Sequence, residues 1–151
     1  MKITIAAIGK LSNKTPEATL INEYVKRIPW KIEVKEFEEK SRLSPENLKV
    51  KEGEMLLSSC ENHHIILLDE RGTQLTSHKF ADLLAQYQVN NINRIGFLIG
   101  GAFGHGKLVE EKANFKFSLS SLTFPHMLAR ALLIEQIYRA YTINTGHPYH
   151  K

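Results

Sequence analysis

The chain has 151 residues, 20 Lys and Arg against 16 Asp and Glu for a formal net charge of +4, and is 42% hydrophobic and 24% charged. That length suits one domain of roughly 100–200 residues, expected here over residues 1–151, and the composition excludes disorder, collagen and coiled coil. No apolar run approaches the roughly 20 residues that span a bilayer, and no membrane partner is expected.

Residues 2–8 are short, β-branched and apolar, and predict a first strand rather than a signal peptide, since no small-residue cleavage site follows. A turn over 9–14 leads to Thr15-Pro16-Glu17, an N-cap and first turn that open a helix carrying Leu20, Ile21, Tyr24, Val25 and Ile28. Pro29 stops it. In residues 31–38, Ile32 and Val34 alternate with Lys31, Glu33 and Lys35, the pattern of a half-exposed strand near a sheet edge.

Ser44-Pro45-Glu46 repeats the helix-start chemistry ahead of Leu48, Met55, Leu56 and Cys60, with Cys60 read as core filler. A lone cysteine forms no intrachain disulfide, and with no export signal a cytoplasmic location is expected. Residues 64–69 are a continuous apolar run ending in Asp69, a strand covered on both faces, and Glu70-Arg71-Gly72-Thr73 is read as a turn. Phe80, Leu83, Leu84 and Tyr87 follow helical spacing, and residues 94–99 are another buried strand.

A glycine-rich loop over 100–106, a short helix over 107–112, a strand over 115–119 and a loop over 120–125 come next. The last helix, over 126–142, is apolar on more than one face. A small monomer rarely buries a terminal helix so fully, which predicts a homodimer through it, with Leu133 and Ile137 as buried interface sites. The β-α alternation predicts a three-layer α/β fold around a parallel-type sheet.

Chemistry concentrates at the glycine loop, Gly100 to Gly106, directly after a buried strand. Its glycines let backbone approach a ligand and present N–H groups to it. Gly101, Gly106 and Lys107 fit a phosphate loop, but Leu108 stands where a hydroxyl for Mg²⁺ is needed. A phosphate-loop nucleotide-binding protein, a non-enzymatic ribosome-binding module and a purely structural turn therefore stay open. If the strands ending at Leu68 and Leu119 are parallel neighbours of this one, their carboxyl ends make one crevice suited to an adenosine-bearing cofactor. Asp69 and Glu70 read as ribose ligands or as turn formers. The seven histidines show no metal-ligand spacing, and no metal is expected. The tail offers a stacking ring at Tyr149, a proton carrier at His150 and a cation at Lys151, a set that suits a flipped base, against the alternative of a frayed end.

Several longer motifs carry a resemblance: Phe97-Leu98-Ile99-Gly100-Gly101, the run Ser118 to His126, Arg130, Ile134-Glu135-Gln136-Ile137-Tyr138-Arg139-Ala140, and His147-Pro148-Tyr149-His150-Lys151. Over essentially its whole length the chain resembles the SPOUT methyltransferases that methylate N3 of a pseudouridine in large-subunit (23S) ribosomal RNA, the RlmH family. Its glycine loop departs from commoner members in reading Ala102-Phe103-Gly104-His105-Gly106. The resemblance implies a C-terminal trefoil knot, a homodimer, and S-adenosylmethionine bound by Leu68, Gly100, Gly104, Leu119, Ser120, Ser121, Leu122, Thr123 and Phe124. It implies that Tyr149, His150 and Lys151 reach the target base, across the dimer, on RNA presented by the assembled ribosome. In that role His150 accepts the N3 proton, Tyr149 stacks or hydrogen-bonds, and Lys151 steadies the developing anion.

Overall fold

The computed structural model describes residues 1–150; Lys151, the expected cation, lies outside the described residues. Five strands, β1 (Lys2–Ile8), β2 (Lys31–Phe37), β3 (His64–Gln74), β4 (Arg94–Ile99) and β5 (Phe115–Ser118), alternate with five helices, α1 (Pro16–Arg27), α2 (Pro45–Ser59), α3 (Ser77–Val89), α4 (Lys107–Lys112) and α5 (His126–Asn144). A short 3₁₀ turn, Pro148–His150, follows. The helix starts form where the sequence places caps. Thr15 Oγ1 accepts the Ala18 N–H at 3.3 Å and Ser44 Oγ the Asn47 N–H at 3.4 Å, each followed by a proline whose missing N–H costs nothing there.

Every strand pair is parallel, in the order β2-β1-β4-β3-β5. The alternating strand β2 is at an edge, as its half-polar pattern predicts, and the apolar β3 and β4 are interior. One sheet face, with Ile3, Ile5, Ile66, Ile95 and Phe97, is covered by α1, α3 and α5. The other, with Ala6, Ile8, Ile65, Leu67 and Leu98, is covered by α2 and α4 through Leu56, Cys60 and Val109. The result is three layers, and Cys60 is core filler, as expected.

Two expectations are corrected. Residues 70–73 do not turn the chain back: β3 continues to Gln74, and both Leu68 and Thr73 pair with Phe117, so the residues between them bulge out of the ladder. Gly72 is required there, because a Cβ on it would sit 2.8 Å from the backbone of Lys116 and Phe117. The second correction concerns α5. Leu133 and Ile137 are fully buried within this one chain, where α5 lies on the sheet in contact with α1 and α3, so their apolarity reports the monomer core rather than an interface. The large hydrophobic residues that α5 leaves exposed are Met127, Leu128 and Leu132, in its first half.

Arg130 of α5 is buried and joins the edge strand β2. Its guanidinium pairs with Glu36 of β2 and donates to the Gly9 carbonyl at 3.0 Å, while Glu36 also accepts the Leu11 N–H at 3.2 Å. A buried arginine is tolerated only when so paired.

Candidate active site

The carboxyl ends of β4, β3 and β5 are neighbours, so the loops leaving them enclose one cavity of about 560 Å³, in the range of small-molecule sites. Its lining combines the glycine loop, Gly100 to His105, the β3 end and bulge, Leu68 to Arg71, and the loop after β5, with Leu119, Ser120, Leu122, Thr123 and Phe124. Ser121 belongs to that last loop but not to the lining. The remaining cofactor candidates, Leu68, Gly100 and Gly104 included, are brought together.

Short hydrogen bonds hold the walls to each other. Asp69 Oδ1 accepts the Arg71 N–H at 2.8 Å within the bulge, and Glu70 Oε2 accepts the Thr123 hydroxyl at 2.7 Å across to the loop after β5. Ser118 Oγ lies 3.2 Å from the Glu70 carbonyl and 2.8 Å from that of Ser120, so it ties the β3 bulge to the loop after β5. The Leu122 N–H donates to Ser120 Oγ at 3.0 Å.

The glycine loop is folded back on itself. The Gly104 N–H donates to the Gly101 carbonyl at 3.0 Å, and Gly104 has φ +74°, a left-handed conformation that favours glycine. A Cβ on Gly100 would lie 3.0 Å from His105 Cε1 and 3.1 Å from the Gly104 carbonyl oxygen. Gly100 therefore permits the loop's own fold as well as any ligand approach. Lys107 is exposed, pairs with Glu111 at 3.6 Å and does not line the cavity, which removes the lysine that a phosphate loop needs. Among the described residues no cluster of His, Cys, Asp and Glu suits a metal, and no helix is long and apolar enough to cross a membrane.

Two site residues were missed at the level of sequence. His105 Nε2 lies 3.0 Å from the Leu68 carbonyl, and burial holds its imidazole below the ordinary histidine range. Glu52 of α2 is 6% exposed, its Oε2 has no hydrogen-bond partner among the described residues, and its carboxyl lies under Gly101, 2.6 Å from where a Cβ would be. Burial, then the nearby charge of Glu39, pushes that carboxyl above the usual range. A signal existed: Leu48, Glu52 and Leu56 form one i, i+4 stripe of α2 that Cys60 continues at the C-cap, with a carboxylate where a hydrophobe is normal.

Tyr149 is docked rather than frayed. The Tyr149 hydroxyl is 2.9 Å from the Tyr24 hydroxyl and donates to Glu135 Oε1 at 3.1 Å. Its ring is 4.6 Å from that of Tyr138, with the Arg139 guanidinium 5.1 Å away. Burial and these two partners raise the phenol above its ordinary range, so it is a hydrogen-bond donor at neutral pH. Neither Tyr149 nor His150 lines the cavity of its own chain.

The comparisons with known proteins bear on the whole of this architecture. A family model described as "Predicted SPOUT methyltransferase" matches residues 1–150. A protein of Paramagnetospirillum magneticum named Ribosomal RNA large subunit methyltransferase H is 43% identical over 152 residues, covering 100% of this chain and 99% of that protein. Proteins of the same name from Clostridium botulinum and Clostridium novyi are 38% and 39% identical over 160 residues, each covering 100% of both chains. With a full-length match on a parallel sheet whose strand ends enclose this cavity, the chain belongs to the SPOUT methyltransferase family.

Proposed function

We propose that this methyltransferase transfers a methyl group from S-adenosylmethionine to N3 of a pseudouridine in 23S ribosomal RNA of the assembled ribosome. The observation that carries the reading is the single cavity that gathers Leu68, Gly100, Gly104 and the loop after β5 in a chain similar throughout to proteins named as large-subunit ribosomal RNA methyltransferases. The residues fit such a donor: glycine backbone at one wall, apolar side chains of Leu68, Phe117, Leu122 and Phe124, and carboxylates of Asp69 and Glu70 for hydroxyl or ammonium groups. Leu119, Ser120, Ser121 and Thr123 complete the holding loop.

When bound, the sulfonium donor supplies an already activated methyl group. The protein's part is then to orient and desolvate the two reactants and to manage one proton. Attack by N3 requires loss of its proton, and His150 is the acceptor in this reading, with Lys151 beside it to favour the anion. Tyr149, fastened to Tyr24 and Glu135, sets where those two residues start from.

Because Tyr149 and His150 lie outside their own chain's cavity lining, the tail is read as serving the cavity of a second copy in a homodimer. The exposed Met127, Leu128 and Leu132 of α5, with Leu122 on the adjoining loop, supply the apolar surface for that pairing. The whole of residues 1–151 is taken as one methyltransferase domain acting in the cytoplasm. The segment from the glycine loop onward forms a trefoil knot, supported by α4 and α5 lying on opposite sheet faces.

The test is radiolabel transfer from S-adenosylmethionine to ribosomes, with free 23S ribosomal RNA in parallel and the modified base mapped by mass spectrometry. Label at N3 of a pseudouridine on ribosomes is the expected result. No transfer to ribosomes, or label at a ring carbon or ribose, overturns the reading.

A further inference from the structure

His105 stands inside the cavity wall with a role that neither strand ladder nor motif accounts for. The ladder between β3 and β4 ends at Leu68↔Ile99, and β3 bulges immediately afterwards. Beyond that point the two strand ends are joined by side chain. His105 Nε2 is 3.0 Å from the Leu68 carbonyl, which can only accept, so the ring carries its proton on Nε2. The Cε1 edge of the same ring fills the space beside Gly100, 3.0 Å from its absent Cβ. One imidazole thus spans Leu68, the last β3 residue paired with β4, and Gly100, the residue that follows β4.

We propose that His105 is a positioning residue for methyl-donor binding: its Nε2–H, held by the Leu68 carbonyl, fastens the glycine loop to β3 and fixes the spacing of Leu68, Gly100 and Gly104. This rests on the methyl-donor reading above. A loop with four glycines at 100, 101, 104 and 106 has more backbone freedom to lose than any other segment of the site. A tie made before the ligand arrives reduces the ordering left to do on binding, which is how preorganisation raises affinity.

The neutral ring is the form that does this. Burial, the largest effect, opposes protonation and His126 of α5 adds to it, against the hydrogen bond to the Leu68 carbonyl and the charges of Asp69 in the β3 bulge and Glu110 of α4, which favour it; the balance lies with the neutral ring. A second proton in acid adds charge to a desolvated ring against the loop, so ligand affinity falls as pH drops below the ordinary histidine range, about 6.5.

The experiment is calorimetric titration of S-adenosylhomocysteine, the probe, into wild type, His105→Gln and His105→Leu at about pH 7.5 and about pH 5.5. The glutamine amide reaches the same carbonyl and cannot titrate; leucine fills the volume and donates nothing. Expected at the higher pH is affinity within about threefold of wild type for His105→Gln and a loss of about tenfold for His105→Leu. Wild type should also lose more affinity in acid than His105→Gln does. Equal affinity of His105→Leu and wild type, or equal losses in the two variants, overturns the proposal, since packing alone then accounts for the ring. A wild-type pH response no larger than that of His105→Gln overturns it too, and that comparison needs no folded leucine variant. Absence of binding by wild type overturns the methyl-donor reading and this role together.

Discussion

The Arg130–Glu36 pair allows a prediction whose outcome depends on which partner is left behind. Arg130 is 1% exposed and Glu36 26%. Arg130→Met keeps most of the stem volume and deprives the Gly9 carbonyl of its donor, but the stranded carboxylate can take up water and keeps the Leu11 N–H at 3.2 Å. The loss of one donor to a half-buried carbonyl and of the ion pair should cost about 2–3 kcal/mol. Glu36→Ala instead leaves a guanidinium with no water access and no counter-charge, which belongs in the range of about 3–5 kcal/mol. The double variant removes both problems and should cost less than the sum by more than about 1 kcal/mol. Urea unfolding at neutral pH reads these values, and thermal melts should follow at about 2–4 °C per kcal/mol for a chain of this size. Additive losses, or a greater loss from Arg130→Met than from Glu36→Ala, would show that the pair does not clamp α5 to the edge strand β2.

Three further predictions follow from other parts of the structure. The Glu52 carboxyl is raised, so the folded state binds its proton more tightly than the unfolded one, and its contribution is lost as pH rises through the folded-state value; Glu52→Gln should therefore gain stability over wild type at pH 8 relative to pH 5, and an unchanged pH profile in denaturant melts refutes this. Leu128→Glu or Leu132→Glu should give folded monomers, because both residues are exposed in the single chain, whereas Leu133→Glu should unfold it by burying an unpaired charge; sedimentation and circular dichroism separate the cases, and a wild-type monomer at micromolar concentration ends the dimer reading. Tyr149→Phe, which loses the bonds to Tyr24 and Glu135, should lower stability by about 1 kcal/mol, and Tyr149→Ala by about 2–3 kcal/mol through the lost ring packing. A melting temperature unaffected by Tyr149→Ala would mean that the tail is not docked in solution.

Much of the fold is local in origin and so was legible in the sequence. Thr15-Pro16 and Ser44-Pro45 start helices because a side-chain oxygen and a fixed φ act within four residues, and the alternation of β2 against the continuous apolar runs of β3 and β4 separates edge from interior by burial alone. A shared crevice was expected on the condition that β3, β4 and β5 be neighbours, and their strand order meets that condition, whereas the ligand residues themselves were implied by the family resemblance. Tertiary structure decided the rest. Glu70-Arg71-Gly72-Thr73 has the composition of a turn, yet pairing with β5 resumes beyond it and makes it a bulge, because register is set by the partner strand. The apolar faces of α5 look the same in sequence whether a second copy or the chain's own sheet covers them, and it is the seat against α1 and α3 that distinguishes Leu133 from Leu132. Glu52 under Gly101, His105 on Leu68 and Tyr149 on Tyr24 join residues 37 to 125 positions apart. No local propensity encodes such contacts; they arise only when a packed core fixes which surfaces face each other.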